Sequence, residues 1–518
     1  MTTNYRHPRV LVVAPTVTII PSELNSGQRY IFARDGGMGD ICTAYVHELY
    51  EQGVDIHLAV PDYRNIPTID NKNKPNFDIH HRRHQIPAKF IHLAKDPSFK
   101  YHPKLFWAAD KQDVDVALAF QREVIKRIIP DVHPDLIYCY DWMTALIPAS
   151  ARLNNIPCLF SVCHLDSPKV LLSTIEAKGL DISLFWKNCY YSVMPTNYEE
   201  TKKTNALELL TTGFFSARLV HILSRTVLRS LIGESKNSIS SSLKLELQKK
   251  YCEGCLCALH PVPDASFNPA TDQALLRLYN PETHSIGKLY NKLHVQEKLN
   301  LTIDSTVPML FWPTPMRWGQ PECRMMADTL GTILERYRKQ KLQIVFVAEG
   351  DFHDHLRLIV DQLQAADRVA VHDFDAHLYR LAYGGSDFLL MPIYYAPCAL
   401  PCIIGQRYGT LPIAYDTGAI HDCVAPLNET ANVGAGFMYR HYDENGLLWA
   451  IEQAMIFFNR PNDIKLLQVR RIMGESMIRF SFEDTVRQAI ELYSGMFEHI
   501  PNSMKVTAEI KKPAIDTA

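Results

Sequence analysis

Two series of short apolar runs, one in each half of the chain, limit what this sequence can fold into. The first half holds "RVLVVAPTV" (9–17), "VDIHLAVP" (54–61), "PDLIYCYDW" (134–142), "IPCLFSVCH" (156–164) and "YYSVMPT" (190–196). The second holds "VPMLFWPTP" (307–315), "LQIVFVAEGD" (342–351), "RVAVHDF" (368–374), "DFLLMPIYY" (387–395) and "LPIAYDTG" (411–418). The opening run is continuous and β-branched, which fits a strand covered on both faces, and such strands belong to parallel sheets flanked by helices. The stretches between the runs supply those helices. In "ARDGGMGDICTAYVHELYEQGVDIHLAVP" a glycine loop (Gly36, Gly37, Gly39) precedes a helix carrying Ile41, Tyr45 and Leu49, which stops at Gly53 before the next strand.

At 518 residues the chain exceeds one ordinary core, so two α/β domains are expected. Residues 205–250 read as helical, and the serines of "NSISSSLKLELQKK" suit a loop or helix cap. The turn-rich "ALHPVPDASFNPATD" (258–272) marks the approach to the interdomain connection. The expected organisation is an α/β domain over 1–275, a second over 276–480, a closing helix over 481–500 that crosses back to the first, and a disordered tail over 501–518. Two doubly wound parallel-sheet domains facing each other across a deep cleft bind ligands at the strand C-termini. The glycine loop and the turn in "YYAPCALPC" (394–402) fall there, each before a helix N-terminus suited to an anion.

Composition narrows the function. Hydrophobic residues make up 47% and charged ones 21%, with a net charge of −2, so no global field attracts nucleic acid or an anionic membrane. No apolar run approaches the ~20 residues of a membrane helix, and "MTTNYRHP" is short for a targeting peptide, so a cytoplasmic protein is expected. The 12 cysteines show no framework and are expected to be mostly buried thiols. Cys252, Cys255 and Cys257 cluster without a second CxxC pair, and His80, His81, His84, His92 and His102 crowd a segment that reads as a solvated loop or hairpin. Neither reads as a metal site.

Several segments, in order, resemble the bacterial glycogen synthase and plant starch synthase family. "GGMGD" resembles that family's GGLGD, "YDWMTAL" its HDWHTAL, "VMPTNYEE" its VSPTYAEE and "FNPATD" its WNPATD. "YYAPCALPCIIGQRYGTLPIAYDTGAIHD" tracks FEPCGLTQLYAMRYGTLPIVRRTGGLAD, and "FSFEDTVRQAIELY" (480–493) resembles the closing helix. The resemblance implies the GT-B fold. It also implies a retaining glucosyltransferase, without metal or other cofactor, that moves glucose from ADP-glucose or UDP-glucose to an α-1,4-glucan.

The resemblance assigns Asp141, His164 and Arg34 to catalysis. It places Arg34, Gly36, Gly37, Gly39, Asp40, Arg317, Phe374, Cys398, Ala399 and Leu400 around the donor and its phosphates, with Phe374 in place of a base-stacking tyrosine. The departures fall on polar positions. The phosphate-binding arginine and lysine of GRLTEQKG fall on Thr314 and Gly319 in "PTPMRWGQPE", and the sugar-binding glutamate of FEPCGL falls on Ala396. The asparagine of NGID falls on His260, and the histidine of TIHN on Cys163, with His164 adjacent. Two other readings stay open: a catalytically silent relative that binds glucan, nucleotide sugar or a partner synthase, and a glycosyltransferase with a different donor or acceptor. A homo-oligomer is compatible with each.

Overall fold

The computed structural model describes residues 8–17, 38–63, 87–100, 110–165, 167–191, 193–233, 239–258, 262–263, 266–481 and 487. Seven strands build the first sheet: β1 (Arg9–Val13), β2 (Asp55–Pro61), β3 (Ile91–Ala94), β4 (Leu136–Tyr140), β5 (Cys158–Val162), β8 (Leu219–Ile222) and β9 (Leu256–Ala258). Their order is β3-β2-β1-β4-β5-β8-β9, and every pairing is parallel. A small antiparallel pair, β6 (Lys169–Leu171) and β7 (Ala206–Glu208), stands apart. The second sheet holds β10 (Met309–Trp312), β11 (Gln343–Ala348), β12 (Val369–Asp373), β13 (Phe388–Met391), β14 (Leu411–Tyr415) and β15 (Phe437–Tyr439), all parallel in the order β12-β11-β10-β13-β14-β15. β4, β5, β10 and β11 are buried along their whole length, as their unbroken apolar runs require.

In both sheets the strand order reverses beside the first strand, between β1 and β4 and between β10 and β13. Loops leaving the carboxyl ends at such a reversal diverge to opposite faces and leave a crevice. The loop carrying Asp141 follows β4, "PTPMRWGQPE" follows β10, and "YYAPCAL" follows β13, so the candidate loops sit at the two reversals.

The domains are joined by polar and apolar contacts. Asp272, of the "FNPATD" segment, accepts from Arg380 Nε at both carboxylate oxygens, at 3.0 and 2.9 Å, and from the Tyr408 hydroxyl. One apolar cluster runs from the first sheet into Ala396, Ala399, Ile403 and Ile420 of the second domain. The Asn462–Arg479 helix is the last described element, and Ser476 on it donates to Ile403 O at 3.4 Å. Nearly all of the expected closing helix, and the expected tail, lie outside the described residues.

Three local expectations are corrected. Over 205–250 the chain holds β7 and β8 as well as helices. β8 is only four residues, "LVHI", and its central His221 is fully interior because its Nδ1 meets Tyr138 Oη at 2.9 Å and Ser161 Oγ at 3.1 Å. A polar residue satisfied inside the sheet hides the strand from a hydrophobic pattern. "YYSVMPT" contains no strand among its described residues, since β8 takes the place beside β5, and Val193 and Met194 are exposed. His92 lies on β3, not in a solvated loop: its Nε2 is 2.8 Å from His57 Nδ1 on β2. The other histidines of that cluster fall outside the described residues.

Candidate active site

Asp141 leaves β4 with φ 57° and ψ 177°, a backbone conformation costly for a residue with a Cβ. Hydrogen bonds hold it there. Its amide donates to Ser161 O at 2.9 Å, and its Oδ1 accepts from the amides of Cys163 at 2.6 Å and His164 at 3.1 Å. Its Oδ2 lies 2.7 Å from His164 Nδ1. A carboxylate only accepts, so His164 Nδ1 is the donor of this bond. The Asp141 side chain is fully buried while that of His164 is 40% exposed, so the pair presents the imidazole and hides the acid.

Cys163 and His164 contact Asp141 in different ways. Cys163 is buried and contributes its backbone amide, whereas His164 takes the side-chain bond to Asp141.

Across from this pair stands the loop after β13. Burial first, then the negative charge of Asp141, then Cys163, pushes the Tyr395 hydroxyl above its ordinary range. Ala396 is buried, and its carbonyl accepts the Ala419 amide at 2.8 Å. The approach is tight enough that a Cβ on Gly418, at φ +49°, would sit 2.3 Å from that carbonyl. The loop is thus fixed by its backbone, with a methyl group where the resemblance places a carboxylate.

The Leu400–Arg407 helix begins at this loop. Its capacity for phosphate is smaller than its position suggests. Cys398 Sγ already takes the Leu400 amide at 3.4 Å, and Pro401 has no N–H. Ala399 and Leu400 are buried.

The turn after β10 is pinned to the turn after β11. Met316 N donates to Glu349 O at 2.7 Å, and a Cβ on Gly350, at φ +145°, would collide with Met316 O. Arg317 is half-buried in this turn, its amide donating to Gln320 Oε1 at 2.8 Å. Gly319 adopts φ +88° with open space around its missing Cβ, and the Thr314 hydroxyl is buried with no hydrogen-bond partner among the described residues. Phe374, after β12, is half-buried with its ring against Tyr379 at 5.5 Å.

Gly39 opens the Met38–Glu51 helix, as the glycine-loop reading expects. Arg34, Gly36, Gly37 and His260 lie outside the described residues, as does the side chain of Asp40. Among the described residues no group of three or more His, Cys, Asp or Glu could hold a metal ion, and no helix is long and apolar enough to cross a membrane. All 12 cysteines are free thiols, most of them buried; Cys252 is exposed, and Cys255 and Cys257 are partly buried.

Comparison with known proteins points to one group of enzymes and one fold. The model of the starch synthase catalytic domain matches residues 17–242. The glycogen synthase of Alkaliphilus metalliredigens is 25% identical over 499 residues, covering 90% of this chain and 97% of that protein. That of Clostridium botulinum (strain Eklund 17B / Type B) is 26% identical over 475 residues, covering 84% and 92%. The chain is thus similar to glycogen synthases along most of its length and to the starch synthase catalytic domain over residues 17–242. The catalytic domain of starch synthase IV from Arabidopsis thaliana, bound to ADP and acarbose, superposes with TM-score 0.75 at 19% identity over 95% of this chain and 99% of that one. The sucrose-phosphate synthase of Thermosynechococcus elongatus superposes with TM-score 0.58 at 14% identity, over 95% and 100%. The fold is therefore GT-B. Within it this chain has an acid–histidine pair at the end of β4, and Thr314, Gly319 and Ala396 on the loops after β10 and β13.

Sequence reasoning named Asp141 and His164 separately but not their bond, and it missed Tyr395. The signal for Tyr395 was its place one residue before the missing carboxylate.

Proposed function

We propose that this protein transfers glucose, with retention, from ADP-glucose or UDP-glucose to an α-1,4-glucan. The observation carrying the proposal is the Asp141–His164 pair, buried acid behind exposed imidazole, facing the Tyr395 loop. His164 Nε2 is placed to hold a sugar hydroxyl, and Asp141 fixes the ring so that no rotation is needed at the moment of reaction. The charge on the leaving diphosphate needs cations or backbone amides. Arg317 is the described cation closest in sequence to the substituted phosphate positions, and Arg34 is the second candidate. This mechanism takes no metal or other cofactor, and the reaction belongs in the cytoplasm, where nucleotide sugars are made. The test is labelled transfer followed by NMR of the product linkage: an α linkage supports retention, and a β linkage overturns it.

A second reading is favoured by a specific observation. Ala396, Thr314, Gly319 and the occupied Leu400 amide together leave few groups to meet a diphosphate. A silent relative that binds glucan or a partner synthase, alone or as a homo-oligomer, would bind glucan without turnover. Transfer from a different donor would instead appear on a broader donor panel.

A further inference from the structure

The charge of Asp141 acts on the Tyr395 hydroxyl, whereas the neighbouring Tyr394 packs in an aromatic cluster. The Tyr394 ring, 54% exposed, lies parallel to Tyr415 within 4°, with centroids 6.3 Å apart. Both rings lean on Tyr442, at 4.8 and 4.9 Å, and Tyr415 also meets Tyr439 at 5.5 Å. These residues come from the carboxyl ends of β13, β14 and β15, so the cluster continues outward from the donor loop along the sheet edge.

The cluster is held in advance of any ligand. Thr417 Oγ1 donates to Tyr394 O at 3.2 Å, and Tyr442 Oη donates to Pro392 O at 3.1 Å. Beneath it the buried Glu322 carboxyl accepts the Tyr394 amide. Tyr394 is exposed and Tyr415 and Tyr442 are half-buried, and rings fixed this way lose little rotamer freedom when something packs on them.

Polar groups rim the rings. Asp416 follows Tyr415 directly; its Oδ1 is 2.6 Å from His421 Nδ1 and its Oδ2 is 3.5 Å from Arg440 Nε, and both of these partner side chains are largely exposed. In the resembling stretch RRTGGLAD the two arginines stand where this chain has Tyr415 and Asp416, so the edge has exchanged paired cations for a ring and a carboxylate. That exchange disfavours a phosphate. Flat apolar faces beside a carboxylate and its hydrogen-bonding neighbours suit a neutral pyranose ring, whose C–H face packs on an aromatic ring while its hydroxyls bond the rim.

We propose that Tyr394, Tyr415 and Tyr442, with Asp416 at the rim, form a binding platform for an α-linked glucan chain outside the catalytic cleft. The proposal takes its choice of glucan from the function proposed above, and it deepens that reading by giving the polymer a holding site.

The test measures binding of maltoheptaose to the full chain by calorimetry, and retardation in glycogen-containing native gels, for the wild type, Tyr394→Ala, Tyr415→Ala and Asp416→Asn. An aromatic contact of this kind predicts about three- to tenfold weaker binding for each tyrosine variant. Thermal midpoints confirm that each variant is folded, and Tyr394→Phe, which keeps the ring, should bind as the wild type does. Equal binding by wild type and folded Tyr394→Ala overturns the platform, as does absence of maltoheptaose binding by the wild type. Labelled transfer by the wild type is scored separately. Transfer with Tyr394-independent binding sinks the platform and leaves the enzyme, whereas Tyr394-dependent binding without transfer supports the platform and sinks the enzyme.

Discussion

Asp422 of the second domain reaches Thr226 of the first, accepting its hydroxyl at 2.6 Å and its amide at 3.0 Å. The same carboxylate accepts from Ser224 Oγ at 2.6 Å. Ser224 caps the Arg225–Ile232 helix through Val227 N, so an acid from one domain sits at a helix N-terminus of the other, where its charge is favoured. Asp422 belongs to the Gly418–Cys423 helix, which also supplies the Ala419 amide to the donor loop. Domain closure and donor-loop position are therefore linked through six residues.

Removing that acceptor should loosen closure. Hydrogen bonds to a charged group contribute about 1.5–3 kcal/mol each before coupling. Asp422→Ala is expected to increase the radius of gyration by X-ray scattering and to raise the donor KM. An unchanged scattering profile contradicts the latch.

The Asp272–Arg380 pair is buried on both sides, at 3% and 6% exposure. Asp272→Ala leaves a buried guanidinium without its carboxylate and should destabilise the fold by about 3–5 kcal/mol. Thermal or urea unfolding checks this. A loss under about 1 kcal/mol would show that Arg380 finds water or another acceptor instead.

Lys288 gives the fold a pH signature. Its stem is partly exposed, but its Nζ is sunk among Tyr408 O at 3.0 Å, Thr410 Oγ1 at 2.9 Å and neighbouring carbonyls. Burial, with Lys292 adding to it and Asp387 opposing it, brings its pKa down to about 7 from 10.5. Between those values the unfolded chain holds a proton that the folded chain does not. Stability from this group therefore rises with pH across that window, by at most about 1.4 kcal/mol per unit. Below about 7 both states are charged and the full burial cost applies. Lys288→Met should flatten the pH 7–10 slope of unfolding free energy; an unaltered slope would assign it to other groups.

Gly319 offers a gain of function. A Cβ there meets open space, and the φ of +88° is the obstacle. Left-handed backbone costs roughly 1–2 kcal/mol for a residue with a side chain, against about 1.5–3 kcal/mol for a charged hydrogen bond. Gly319→Lys should therefore tighten ADP binding a few-fold by calorimetry. Unchanged affinity would place the phosphates elsewhere.

The architecture was legible wherever strands were long and apolar. β1, β2, β4, β5 and β10 to β14 all fall on the runs that announced them, because most of their positions are apolar and buried. β15 has only three residues, and His221 gives β8 a polar centre, so neither stood out. At the site, the residue types of Asp141 and His164 were visible but not their bond, which spans 23 positions. The Asp422 contacts span 196 and 198 positions and the Asp272–Arg380 pair 108, and no local pattern reports such distances. Tyr394 and Tyr395 were read as the end of a strand, since adjacent tyrosines say nothing about which ring faces the cleft.

The most direct test of the account is transfer of labelled glucose from ADP-glucose and UDP-glucose to glycogen and maltodextrins by the wild type and Asp141→Asn. The account predicts α-glucan extension by the wild type and a loss of about a hundredfold or more in the variant, since a preorganised polar partner in a closed site contributes on the order of 3 kcal/mol. Absence of extension with either donor, from a protein that still binds maltoheptaose or nucleotide, would contradict it and leave a glucan-binding relative that no longer catalyses.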